Sequence, residues 1–204
     1  MALWNSNEKD LRGEVNDKIK IEKNGVYELK IKEAFIQDSA KSKARAITIS
    51  FENEEVYGKM SLWFLKGDGT ENKFAQAKLN RLLFLCKTKV ENLKEEVKKV
   101  KLFSGEEIDR TFLPDLQGKE IGMILLAKTG LNTNGDPTVN LEVFDFFDIK
   151  SQKTSGEIKD NKPATVVAKK RKEFEEIPQE EKIAYTTDKN IVTTNSLDDD
   201  EFPF

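Results

Sequence analysis

Tyr57, Lys59 and Trp63 alternate within one short segment, YGKMSLWFL, so an extended chain carries two aromatic rings and an ammonium on the same side. Rings can stack on unpaired bases and a neighbouring cation can neutralise phosphate, which together hold a single-stranded nucleic acid without reading its sequence. Lys30 and Lys32 alternate in the same way on an earlier segment, and Lys41, Lys43 and Arg45 crowd the polar loop QDSAKSKAR. Each stacked base contributes about 1–3 kcal/mol, so two such platforms would matter. The same alternation also suits a sheet face whose aromatics pack under a loop and whose lysines only solubilise it.

Other chemistries lose their reagents. The 204 residues include no His and one Cys, which removes Ser-His-Asp and Cys-His catalysis, ordinary zinc sites and any internal disulfide. Cys86 falls on an apolar helical stripe and reads as core. Pro114-Asp115 with Asp148-Ile149-Lys150 imitates the two carboxylates and lysine of a magnesium-dependent nuclease, a reading that requires both acids to converge. No metal, cofactor or catalytic residue is expected on the leading reading. The opening MALWNSNEKD holds no apolar run of signal-peptide or membrane length, so a cytoplasmic location without membrane contact is expected.

The last seven residues have a different chemistry. Asp198, Asp199, Asp200 and Glu201 run directly into Phe202, Pro203 and Phe204. An anionic peptide ending in an aromatic ring and a carboxylate suits a partner pocket with an apolar cavity and basic rim. Solubility explains the acids but not Phe-Pro-Phe.

These groups need a scaffold. GVYELKIKEAFI alternates as a strand with Tyr27, Leu29 and Ile31 on one face and Glu28, Lys30 and Lys32 on the other. AITISFE directs Ile47, Ile49 and Phe51 inward, and YGKMSLWFL directs Met60, Leu62 and Phe64 inward. GDGT breaks the pattern, and Thr70 is the expected N-cap of a helix to about Lys87, with Glu71 in its first turn and Ala75, Leu79, Leu82, Leu83 and Cys86 as its stripe. A second helix is expected over 91–100, then a loop through Pro114 and Gly118. KEIGMILLAK and TVNLEVFDFFDI form two further strands around a hairpin turn at Asn134-Gly135.

A composition break near Lys150 separates a domain, residues 1–150, from a tail, 151–204, in which 15 of 54 residues are apolar. The tail is expected to be disordered, basic over 151–172 and acidic at its tip. The domain's 25 basic and 25 acidic residues cancel, so any nucleic-acid contact must come from local patterning. Lys169 to Lys172, KKRK, could add phosphate contacts or simply be solvated linker. Three strands, a helix and two strands is the order of an OB-fold, so the fold class expected is mainly β: a five-stranded Greek-key barrel with a helical insertion between strands three and four.

DDDEFPF resembles the acidic tip of bacterial and bacteriophage single-stranded DNA-binding proteins, which end in aspartates followed by an apolar residue, Pro and Phe. NGVYELKIKEA, LQGKEIGMILLAK and NLEVFDFFDIKSQKTSGEI are similar in order and type to the phage-encoded branch. The resemblance is loose over residues 19 to 159 and tight over the last seven. It implies a non-enzymatic protein that coats single-stranded DNA in replication, recombination and repair, and whose tip recruits the enzymes of those processes; a homo-oligomer is compatible with it. Here the linker is basic and Thr-rich rather than Gly/Gln-rich, and the insertion over 91–118 exceeds what a minimal OB-fold needs. The competing reading is an OB-like adaptor or decoy that binds replication proteins without coating DNA. Deleting residues 198–204 is expected to abolish partner recruitment while leaving single-strand affinity equal or higher, because a competing anion is gone; pull-down and anisotropy check the two halves.

Overall fold

The computed structural model describes residues 18–101, 105–131 and 136–176, and the protein over this span is mainly β. The strands are β1 (Ile19–Lys20), β2 (Gly25–Asp38), β3 (Arg45–Glu52), β4 (Val56–Leu65), β5 (Glu96–Lys101), β6 (Glu107–Phe112), β7 (Glu120–Leu131), β8 (Pro137–Asp148) and β9 (Lys153–Thr154). Helices are α1 (Lys73–Leu85), α2 (Ser155–Lys159) and α3 (Val166–Glu176), with 3-10 turns at Val90–Asn92 and Pro114–Leu116. The sheet is ordered β1-β4-β3-β2-β7-β8-β9, antiparallel except for the β1–β4 pair, and does not close on itself. Among the described residues no helix is long and apolar enough to cross a membrane.

The apolar alternation of the sequence becomes the main core. Leu29 and Ile31 from β2, Ile47, Ile49 and Phe51 from β3, and Met60 and Leu62 from β4 are buried together with Ile121, Met123 and Leu125 from β7. Helix α1 adds the expected stripe, Leu79, Leu82, Leu83 and Cys86, and burial pushes the Cys86 thiol up to about 11, as for an inert core group. Ion pairs Lys78–Glu142 and Arg81–Asp145 tie α1 to β8.

Strand β2 departs from simple alternation. Its pairing with β3 slips between Ile31 and Glu33, leaving Lys32 as an extra residue. Before the slip Leu29 and Ile31 face the core; after it Ala34 and Ile36 do, and Phe35 crosses to the outer face. The opposite edge of β2 is shared. β7 pairs with residues 25–30, and β6 pairs with Phe35 and Ile36. Between them the turn at 113–118 fills the gap through bonds from Leu113 to Ala34 and from Gly118 to Ile31, with Leu113 and Leu116 buried.

Several expectations are corrected. The α1 N-cap is Asn72, whose side chain accepts from the Ala75 amide, not Thr70. Thr70 is held by Asp68 in the preceding turn, and Glu71 still bridges to Leu65, so the chain is not yet helical there. The helix expected over 91–100 is a short 3-10 turn followed by β5, because β6, expected as loop, supplies a full-length antiparallel partner. Among the described residues there are nine strands rather than the five expected. The hairpin turn at Asn134-Gly135 lies outside the described residues, while β7 and β8 pair from Gly122↔Phe147 to Leu131↔Pro137 around it.

The expected disorder from Ser151 onward is also overturned through Glu176. Val167 of α3 joins Ile124 and Phe147 in a second small core, with Val26, Val166 and Phe174 against it. Gly122 is required beneath this layer, since a Cβ there would lie 2.3 Å from the Phe147 ring. Glu157 fastens the segment. Its carboxylate accepts from the Thr154 amide and hydroxyl at 2.9 and 3.1 Å, from the Thr165 amide and hydroxyl at 2.7 and 2.9 Å, and from the Val166 amide at 2.9 Å. With Thr154 as N-cap of α2 this is a capping box extended to the start of α3. The acidic tip, 198–204, lies outside the described residues.

Burial alone would raise the Glu157 pKa, but the bonds from Thr154, Val166 and Thr165 outweigh it and hold the group at about 2. A carboxylate with a depressed folded-state pKa stabilises fully above its unfolded value, near 4.5, and that contribution fades as pH falls towards about 2. Glu157→Ala is expected to cost about 3 kcal/mol at neutral pH, the scale of losing a buried, multiply bonded charge. The gap between wild type and variant in chemical denaturation should shrink below pH 4.5; a gap independent of pH would contradict this role.

Candidate nucleic-acid interface

The outer face of β2, β3 and β4 is laid out in rows by the register. Trp63 stands beside Ala46 and Gln37, Ser61 beside Thr48 and Phe35, Lys59 beside Ser50 and Glu33, and Tyr57 beside Glu52 and Lys30. The central strand contributes the small side chains of Ala46, Thr48 and Ser50 before Glu52. Thr48 is completely buried even on this face, bonded to Gln37 at 2.7 Å and Ser61 at 2.8 Å, which fixes the floor.

Phe35 is the centre of the aromatic layer. Its ring meets Phe112 of β6 at 6.0 Å between centroids, tilted by 60°. The Arg110 guanidinium lies 4.3 Å from the Phe35 centroid and the Lys59 ammonium 5.6 Å from it, so two cations cover the ring and leave it 4 % exposed. Lys98 of β5 stands 5.6 Å over Phe112 and prolongs the series. Aromatic and cationic groups thus alternate across β4, β2, β6 and β5.

Two cations share the space over the Phe35 ring. Burial pushes the Lys59 ammonium below its ordinary value, the Arg110 charge adds to that shift, and Glu33 opposes it. Arg110 is likewise lowered by burial and supported by Glu33. Two partly desolvated cations are thus brought together at the ring, with Glu33 acting on both. A phosphate brought to this point would stabilise both.

The residues singled out in the sequence divide into three groups. Tyr57, Lys59 and Trp63 lie on the outer face as expected, with Tyr57 exposed. Lys30 and Lys32 are at its far end, where Lys32 pairs with Glu52 at 3.5 Å beside Lys18 at 3.2 Å, so part of their charge is already compensated. Lys43 and Arg45 line an open depression of about 510 Å³ with Asp38, Ser42, Leu65 and Gly69, one residue pair beyond Trp63, and Arg45 pairs with Asp38. Lys41 belongs to the same loop, its amide directed at Ser39.

Three residues of the cluster escape a reading of the sequence: Phe35, Arg110 and Phe112. Strict alternation assigns Phe35 to the core, and the other two fall where a loop is expected. The signal for the slip is Glu33, an acid at the next inward position after Ile31. The two carboxylates of the nuclease pattern each have hydrogen-bond partners of their own. Asp115 accepts from the Lys94 amide at 2.7 Å and so ties the turn at 114–116 to the segment ahead of β5, whereas Asp148 accepts from the Ser151 amide and hydroxyl at 2.7 Å and closes a local turn. Among the described residues no group of three or more acidic or Cys side chains is gathered as metal ligands would be.

No family profile, curated protein or solved structure matches the chain. The functional reading therefore rests on the geometry and the residue chemistry. KKRK, 169–172, is on α3 rather than in a linker: Lys170 sits 4.4 Å over the Phe144 ring, and Arg171 reaches Glu28 at 3.4 Å and Gln152 at 2.8 Å.

Proposed function

We propose that this protein coats single-stranded DNA in replication, recombination and repair, binding it across the outer face of β2, β3 and β4. The observation that carries the reading is the Phe35 cluster: an aromatic layer at the sheet surface, covered by the Lys59 and Arg110 cations and flanked by Tyr57 and Trp63. Bases would stack on the flanking Tyr57 and Trp63 while the cations over Phe35 take phosphates, the combination that binds strands irrespective of sequence. The binding is non-enzymatic and needs no cofactor.

The strand order supports an OB-fold reading. β2, β3 and β4 followed by α1 and then β7 and β8 supply five strands and a helix in the OB sequence. The gap between β4 and β8 is narrow at one point: a Cβ on Gly58 would lie 2.9 Å from Leu141. On this reading the barrel is left open there, α1 plugs it, and β5 and β6 are an insertion. The tip, Asp198 to Phe204, recruits replication and recombination enzymes.

The adaptor reading draws on one observation, the zero formal charge of residues 1–150, and it expects no DNA binding. Tryptophan fluorescence titrated with oligothymidine and with a matched duplex, at low and moderate salt, separates the two. Tight, salt-sensitive quenching by the single strand alone supports coating; silence in fluorescence and in labelled-strand anisotropy leaves the adaptor. Trp63→Ala is expected to weaken single-strand binding by more than about 1 kcal/mol, the lower end of one stacking contribution. Unchanged affinity in that variant would remove Trp63 from the site.

A further inference from the structure

The β5–β6 hairpin leaves the sheet as an arm, joined to β2 through the pairs Phe35↔Phe112 and Ile36↔Thr111. Its register sorts its side chains. One face carries Glu96 beside Phe112, Lys98 beside Arg110 and Val100 beside Ile108. The other carries Val97 beside Thr111, Lys99 beside Asp109 and Lys101 beside Glu107. Opposite charges therefore face each other across the second surface, whereas the first holds two cations side by side with one acid, Glu96, two residues from Lys98.

The first surface is also the one continuous with the DNA-binding face proposed above. Phe112 meets Phe35, Arg110 lies over the Phe35 ring, and Lys98 lies over the Phe112 ring. Val100 and Ile108 prolong it as half-buried apolar groups. Lys98 is held at 3.0 Å by Glu96, but both side chains are about half exposed, so the pair is weak and yields readily to a phosphate.

Resting on that reading, we infer that the Phe112–Arg110–Lys98 face of the arm is a second wall of the same site, gripping the stretch of single strand that runs off β2. Lys98 takes a phosphate there, beside the Phe112 ring over which it lies. The Lys99 face takes no part. Register alone makes two adjacent lysines, Lys98 and Lys99, functionally unequal.

The test is anisotropy of a labelled oligothymidine across a salt series with wild type, Lys98→Ala, Lys99→Ala and Glu96→Gln. One single-strand phosphate contact contributes a slope of about 0.7 in log K against log salt. Lys98→Ala should therefore flatten the slope by about 0.7 and weaken binding about eightfold at roughly 50 mM salt. Lys99→Ala should match wild type, and Glu96→Gln should bind more tightly because Lys98 is released. If the Glu96–Lys98 pair only stabilised the hairpin, both partners' variants would weaken binding, and the inference would be overturned. Equal losses in Lys98→Ala and Lys99→Ala would overturn it as well. Wild type that ignores the strand defeats the coating function along with the arm; wild type that binds, weakens in Trp63→Ala and is indifferent to Lys98→Ala defeats the arm alone.

Discussion

A single extra residue in β2 governs what this molecule can present. Side chains alternate with a period of two, so a one-residue slip exchanges the two faces of everything beyond it. Lys32 supplies that slip. Without it Glu33 and Phe35 would follow Leu29 and Ile31 into the core, burying a carboxylate among Ile47, Ile49 and Met60 at a cost of several kcal/mol. With it Ala34 and Ile36 complete the core, and Phe35 appears on the far side. An aromatic ring at a sheet surface then demands cover, and Phe112, Arg110 and Lys59 supply it. The aromatic-cationic layer is thus a consequence of the bulge, as is the docking point of the arm.

Much of the sheet is legible in the sequence because burial on one side writes itself into alternation. Tyr57, Lys59 and Trp63 fall on the correct face for that reason, as do the inward residues of β3 and β4 and the apolar stripe of α1. The elements that escape share another cause. Val97 and Val100 are three apart, which suits a helix, and only the partner strand 107–112 makes 96–101 extended. Such a partner is invisible to local periodicity. The helices beyond Lys150 escape because composition counts apolar residues, whereas this segment is fixed chiefly by a carboxylate and five donors. Its signature is nevertheless present as Thr154-Ser155-Gly156-Glu157, the capping-box spacing.

The outer surface of β2 is divided between two tasks. Its first half, with Val26 and Glu28, lies under α3, where Val167 and Arg171 cover it. Its second half, with Phe35, borders β3, β4 and the arm. Formal neutrality of residues 1–150 is therefore a poor guide to local field. Acids answer lysines at Glu52, at Glu142 and along the outer surface of the arm, while Arg110 and Lys59 converge on one ring. Cross-strand register, rather than net charge, decides where cations are brought together.

The fastening at Glu157 changes the mechanics of the chain beyond it. Were the chain loose from Lys150, 48 residue steps would separate the body from Asp198, a contour of roughly 165 Å. Because α3 is clamped down to Glu176, only 22 steps remain, or roughly 75 Å at full extension. Counted in residues, the span that can separate the body from Asp198 is less than half of what it would be if the chain left the body at Lys150. Glu157 thereby sets how far along the chain the body extends: its clamp takes 26 residues out of the span that precedes Asp198.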